Sequence, residues 1–128
     1  MARVMGQEND LALIGAWRDL ADRHARVLSA LERSLQVHHD LGVSEFEVLE
    51  RLASSEGDQC RMQELSGVTH LSQSALSRLV GRLEADGLVT RAMCTDDRRG
   101  IFAHITDAGR ERYAAARETH RAVLAATL

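Results

Sequence analysis

The chain has 128 residues, two cysteines and a net charge of −3, and it contains no proline. This length suits a single domain with a real core. No apolar stretch of about 18 residues or more occurs, and the N-terminus lacks the basic-then-apolar order of a signal peptide, so we expect a soluble cytoplasmic protein with no membrane partner.

A long N-terminal helix is predicted over residues 8–38. Its large side chains recur at steps of three and four, which resembles the seam of a coiled coil. At 1.5 Å per residue the helix is roughly 40 Å long, too long for one small lobe to cover. We therefore expect part of it to form a homodimer interface. The seam residues are Leu13, Trp17, Leu20, His24, Val27, Leu31 and Leu35.

Two shorter helices are predicted next. Ser44 and Glu47 have the spacing of a capping box at the start of the second helix. Residues 60–67 form the first helix of a predicted helix-turn-helix, and residues 68–71 form the turn. Both helices are interpreted as scaffold that braces the helix after them.

The helix that begins after Ser72 carries the strongest functional pattern. Ser72 can cap it, and Gly87 ends it. Leu76, Leu79, Val80 and Leu83 form its buried stripe. The opposite face carries donors and acceptors that suit base edges and phosphates in a major groove. We expect base contacts from Gln73, Ser74, Ser77 and Arg78, and phosphate contacts from Ser72, Arg82 and Arg98.

A β-hairpin follows, with strands at 88–93 and 101–104. Its turn carries the adjacent arginines Arg98 and Arg99, which suit insertion into a narrow minor groove. Helix and hairpin together predict a winged helix-turn-helix over 43–106, followed by a last helix over 107–128. The fold class is thus mainly α-helical with a small β-hairpin wing, flanked by N- and C-terminal dimerisation helices.

Each feature also has an ordinary explanation. A helix with arginines on its wet face is often only a solvated helix, and charged residues in a turn often only pair with one another. The uninterrupted order of short helix, turn, second helix, glycine stop and basic hairpin favours binding to double-stranded DNA. The arginines of this region form a modest basic patch on an acidic chain, so we expect salt-sensitive binding with weak non-specific affinity.

Three runs of the sequence resemble the MarR-type winged-helix transcriptional regulators. They are MQEL at 62–65, LSRLVGRLEADGLV at 76–89 and DRRGIFAHITDAG at 97–109. The last run is similar to the family's wing signature of Asp, any residue, Arg, and a strand that ends in an apolar residue, Thr and a Gly. The similarity covers about residues 10 to 120.

The resemblance implies roles for individual residues and partners. Asp97 would brace the wing, and Arg99 would enter the minor groove. The protein would be a homodimeric regulator, and more specifically a repressor, that binds a pseudo-palindromic operator. A small, often aromatic effector would bind between the dimer helices and the DNA-binding lobe and release the DNA. Trp17 either lines that cleft or is a large core residue.

Other functions remain open from the sequence. Cys94 at the wing edge, or Cys60, would make the protein a redox-responsive regulator. A winged helix also serves in some proteins as an interaction module without DNA binding. We expect no metal and no cofactor, because the cysteines and histidines lack a ligand spacing. We expect no enzymatic activity, because no phosphate loop or catalytic arrangement is present.

Overall fold

The structure of the chain, a computed structural model, describes residues 2–93 and 100–128, with side chains from residue 6 onward. The described helices are α1 (Ala2–His39), α2 (Val43–Ser54), α3 (Met62–Thr69), α4 (Gln73–Ala85) and α5 (Asp107–Thr127), with a short 3-10 turn at Glu56–Asp58. The strands are β1 (Gln59–Arg61), β2 (Val89–Met93) and β3 (Ile101–Ile105). This arrangement confirms the predicted mainly α-helical winged helix-turn-helix. None of the described helices has the length and apolar content that crossing a membrane requires.

The core lies between α2, α4, the sheet and the C-terminal half of α1. Phe46, Leu49 and Leu52 of α2 are fully buried there. They meet the buried stripe of α4, which has the four members that its periodicity predicts. Burial of these leucines and valines away from water is the main source of stability for such a lobe.

The N-cap of helix α2 lies two residues before the predicted capping residue, Ser44. Gly42 is its N-cap, and the backbone N–H of Gly42 donates to Oε1 of Glu45 over 2.9 Å. The predicted Ser44–Glu47 capping box is therefore wrong. A carboxylate three residues inside the helix satisfies the free N–H at this end, so no side chain is needed at the N-cap itself.

Cys60 lies in a strand and not in the predicted helix over 60–67. Strand β1 pairs antiparallel with β3, with Cys60 opposite Ala103, and β3 lies between β1 and β2. The wing is therefore a three-stranded sheet, and α3 starts only at Met62. A three-residue strand is too short to show a period, and the pairing that creates it spans about forty residues of sequence.

Helix α1 divides into a packed half and an exposed half. Val27, Leu31 and Leu35 are buried against the lobe. All residues from 6 to 26 are exposed. Trp17 is 67% exposed, so its interpretation as a core residue of this chain is wrong. At 38 residues the helix is about 57 Å long, longer than predicted, and one lobe covers only its C-terminal part.

Helix α5 is joined tightly to the segment that follows α4. Thr106 caps α5 by accepting from the N–H of Gly109 over 3.0 Å. The hydroxyl of Thr106 donates to the carbonyl of Gly87 over 2.7 Å, and its backbone N–H donates to the carbonyl of Leu88 over 3.0 Å. Gly109 permits this approach, because a Cβ on it would lie 2.2 Å from the Leu88 carbonyl oxygen.

We predict that Gly109→Ala lowers the free energy of unfolding by about 1 to 3 kcal/mol, because the added methyl group meets backbone that cannot move aside cheaply. Urea unfolding measures the change. Gly67→Ala is the matched control, since a Cβ at Gly67 within α3 meets no heavy atom within 4 Å. The control should be neutral or slightly stabilising, and equal stability of the two variants would contradict the steric argument.

Candidate nucleic-acid interface

Helix α4 is held at its N-terminus by the predicted cap. The hydroxyl of Ser72 accepts from the N–H of Ala75 over 3.1 Å. Upstream, His70 adopts a left-handed conformation at the end of α3, and Ser66 donates to the carbonyl of Leu71 over 2.7 Å. The turn between α3 and α4 is therefore fixed by local hydrogen bonds, which sets the angle at which α4 leaves it.

The outer face of α4 gathers the polar residues that the sequence singled out. Every one of them is exposed, and together they occupy about three turns from the N-terminus of the helix. The first turn also presents backbone N–H groups and the positive end of the helix dipole, which attract phosphate. The exposed side chains are Ser72, Gln73, Ser74, Ser77, Arg78 and Arg82.

The wing strands lie beside α4. Strands β2 and β3 pair antiparallel, with Val89 opposite Ile105 and Met93 opposite Ile101. The predicted wing residues Asp97, Arg98 and Arg99, and also Cys94, lie outside the described residues. Their roles stay predictions that rest on the family resemblance.

The sequence pattern assigned no contact of its own to Arg91 of β2. Its Nη1 donates to the hydroxyl of Ser77 over 3.3 Å, and its Nη2 donates to the Ser77 carbonyl. Its Nε lies 2.8 Å from Oε1 of Glu84. A signal was present, because Arg91 and buried Val89 share one face of the strand, so the Arg91 side chain starts on the face of β2 that packs on the lobe.

Cys60 is only 4% exposed, and its thiol donates to Oε2 of Glu64 over 3.3 Å. Burial raises the pKa of the Cys60 thiol above its ordinary value, and the hydrogen bond to Glu64 raises it further. Both causes lower the thiolate fraction at neutral pH. The geometry therefore disfavours Cys60 as the sensor of the redox alternative.

An open cleft of about 610 Å³ lies where three parts of the chain meet. Its lining includes His38 and His39 from the end of α1, Leu88 after α4, and Arg112 of α5. Trp17 is not part of this lining and stands on the exposed half of α1, so the structure does not bring it to this cleft.

The fold and the polar face of α4 define the class of the protein as a winged helix-turn-helix protein. A model of the MarR family matches residues 39–100. The MarR family transcriptional regulator AbsC from Streptomyces coelicolor is 37% identical, over 85% of this chain and 73% of AbsC, with a TM-score of 0.81. Sco3205, a regulator of the same family and organism solved in complex with DNA, is 31% identical over 88% and 71% of the two chains, with a TM-score of 0.85.

A curated relative gives a further comparison. The HTH-type transcriptional regulator TtmR of Methylorubrum extorquens (strain PA1) is 37% identical over 78 residues. The match spans 61% of this chain but only 39% of TtmR. The chain belongs to the MarR family.

We predict that Cys60 reacts slowly with iodoacetamide in the folded protein at neutral pH, because the thiol is buried and its raised pKa leaves little thiolate. Peptide mapping by mass spectrometry follows the cysteines separately. The same protein unfolded in urea is the control and should be labelled quickly at Cys60. Equal rates in the two states would contradict the buried, protonated thiol and restore Cys60 as a sensor candidate.

Proposed function

We propose that the chain is a DNA-binding transcriptional regulator, specifically a repressor, that binds a pseudo-palindromic operator as a homodimer. One observation carries the proposal: six polar side chains, all exposed, form one face of α4 from its capped N-terminus onward. Such a face, at the capped N-terminus of the second helix of a helix-turn-helix, suits a major groove. The likeness to Sco3205, solved with DNA, supports the same conclusion.

Within this proposal the contacts divide into two kinds. Base edges are read by Gln73, Ser74, Ser77 and Arg78, while Ser72 and Arg82 hold phosphates. In the wing, Arg99 enters the minor groove, Arg98 holds a phosphate and Asp97 braces the turn. These wing roles rest on the resemblance alone.

The homodimer rests on the exposed half of α1. Five large apolar residues are exposed there and are not covered by the part of the chain that the structure describes. Two such helices packed on one another would bury these side chains and place the two copies of α4 for successive major-groove segments. The exposed residues are Leu11, Leu13, Ile14, Trp17 and Leu20.

A small, often aromatic molecule is the proposed effector, as the resemblance implies. The cleft between α1 and α5 supports this, because Asp86 and Leu88 at the end of α4 belong to its lining. A molecule bound in that cleft would contact both the dimer helices and the DNA-binding lobe. If it bound one arrangement of the two recognition helices more tightly than another, its binding would shift the population toward that arrangement.

Selection of genomic DNA fragments by the purified protein at near-physiological salt tests the function. We predict recovery of an inverted repeat with half-sites about ten base pairs apart, one helical turn of DNA. Recovery of fragments with no shared sequence would contradict operator binding and favour a protein-interaction module.

Two variants of α4 separate the two kinds of contact on the selected operator. Arg78→Ala should weaken specific binding by about 1 to 3 kcal/mol and relax the preference at one base position. Arg82→Ala should weaken all sequences alike and lower the salt slope by about one unit. Fluorescence anisotropy titrations at several salt concentrations measure both effects. Identical behaviour of the two variants would contradict the assignment.

The dimer is tested with a charge placed in the exposed half of α1. We predict that Trp17→Glu gives the sedimentation mass of one chain at micromolar concentration, where the wild type gives that of two, because a buried carboxylate opposes association. Val68→Glu adds the same charge at an exposed apolar residue outside α1 and should leave the mass of two chains unchanged. A wild-type mass of one chain would refute the homodimer.

A further inference from the structure

The guanidinium of Arg91 contacts two residues of the recognition helix that lie two turns apart, Ser77 and Glu84. It reaches both the hydroxyl and the carbonyl of Ser77 at one end, and Glu84 lies at the other. Gly81 lies between these residues, and a Cβ there would stand 3.5 Å from Nη2 of Arg91. The guanidinium therefore lies across the surface of α4, close to its backbone. Its side chain is 28% exposed, so most of it is shielded from water.

This contact changes what the Ser77 hydroxyl can do. A serine hydroxyl has one proton to donate and two lone pairs that accept. Arg91 is a cationic donor on one of these lone pairs. A hydrogen bond from a charged donor also polarises the O–H group, which makes the hydroxyl a better donor and a poorer acceptor.

The edges of the bases respond differently to such a donor. In the major groove, guanine offers two acceptors, adenine offers N7 and thymine offers O4, whereas cytosine offers only an amino donor. A hydroxyl that is biased toward donation can satisfy the first three bases. Against cytosine the hydroxyl would have to accept through its remaining lone pair, which the bond from Arg91 weakens, so this contact would be the poorest of the four.

We propose that Arg91 is a positioning residue that biases the Ser77 hydroxyl toward donating a hydrogen bond, so that one position in each half-site disfavours cytosine. This inference rests on the proposed function, since it requires α4 to lie in a major groove. On this proposal Arg91, which belongs to strand β2 and lies outside the DNA-facing surface of α4, controls a base preference.

A purely structural role for Arg91 predicts a different result. If the side chain only joined β2 to α4, its loss would loosen the recognition helix and weaken binding to every sequence alike. A change confined to one base position therefore separates positioning of the hydroxyl from general support.

The experiment uses the full-length chain and the operator found by selection, with each half-site position replaced in turn by the other three base pairs. Affinities are measured for the wild type, Ser77→Ala, Arg91→Met and the double variant. Ser77→Ala identifies the position that Ser77 reads, where we expect a cytosine penalty of roughly five-fold to disappear. Arg91→Met should remove the penalty at the same position, and the double variant should remove no more.

Two further variants test the chemistry. Glu84→Gln is the matched control: it breaks the ion pair of Arg91 but keeps the contact with Ser77, and the cytosine penalty should persist. Arg91→Lys keeps a cationic donor beside the hydroxyl and should retain most of the penalty. Thermal unfolding of each variant verifies that it is folded.

Three results would overturn the proposal. One is an Arg91→Met protein that weakens all operators equally and retains the cytosine penalty. Another is a wild-type protein that prefers cytosine at the position identified by Ser77→Ala. This second result does not depend on whether the Arg91 variants fold. A wild-type protein without any sequence preference would remove the proposed function as well, which distinguishes that failure from the first two.

Discussion

The structure depends on the close approach between the first turn of α5 and the segment that leaves α4. Thr106 bonds to the carbonyls of Gly87 and Leu88, and Gly109 leaves no side chain in the way. Gly87 itself adopts a positive φ of 77°, which lets the chain turn sharply after α4. These contacts therefore lie where the recognition helix ends, where the wing starts and where α5, the helix that packs along α1, begins.

The same contacts help to hold the polar face of α4 in place. The helix is capped by Ser72 at one end, joined to α5 at the other, and crossed by Arg91 between them. A displacement of α5 relative to α1 would therefore act on the recognition helix, because the hydrogen bonds of Thr106 and the close approach at Gly109 join the two. In the proposed function these contacts are the physical connection through which an occupant of the cleft would affect α4.

The sequence predicted those features whose causes are local. Ser72 was identified as a helix cap because a hydroxyl acts on N–H groups two or three residues away. The features it did not predict depend on distant partners. Strand β1 exists because Cys60 pairs with Ala103, and Arg91 acquires its role only when β2 lies against α4. For the site, exposure of the α4 side chains followed from helical periodicity, whereas the partner of Ser77 required the fold.

The net charge of the chain bears on both of its exposed surfaces, the polar face of α4 and the apolar half of α1. The chain carries a net charge of −3, and α4 offers only Arg78 and Arg82 as exposed cations. Few phosphate contacts per lobe mean weak binding by one copy at physiological salt. In the proposed homodimer the second half-site contact would be intramolecular, which would multiply the affinity without any new cation. On this proposal the apolar half of α1 and the polar face of α4 have complementary functions, because the surface that joins two copies of an acidic chain would also raise their affinity for an operator.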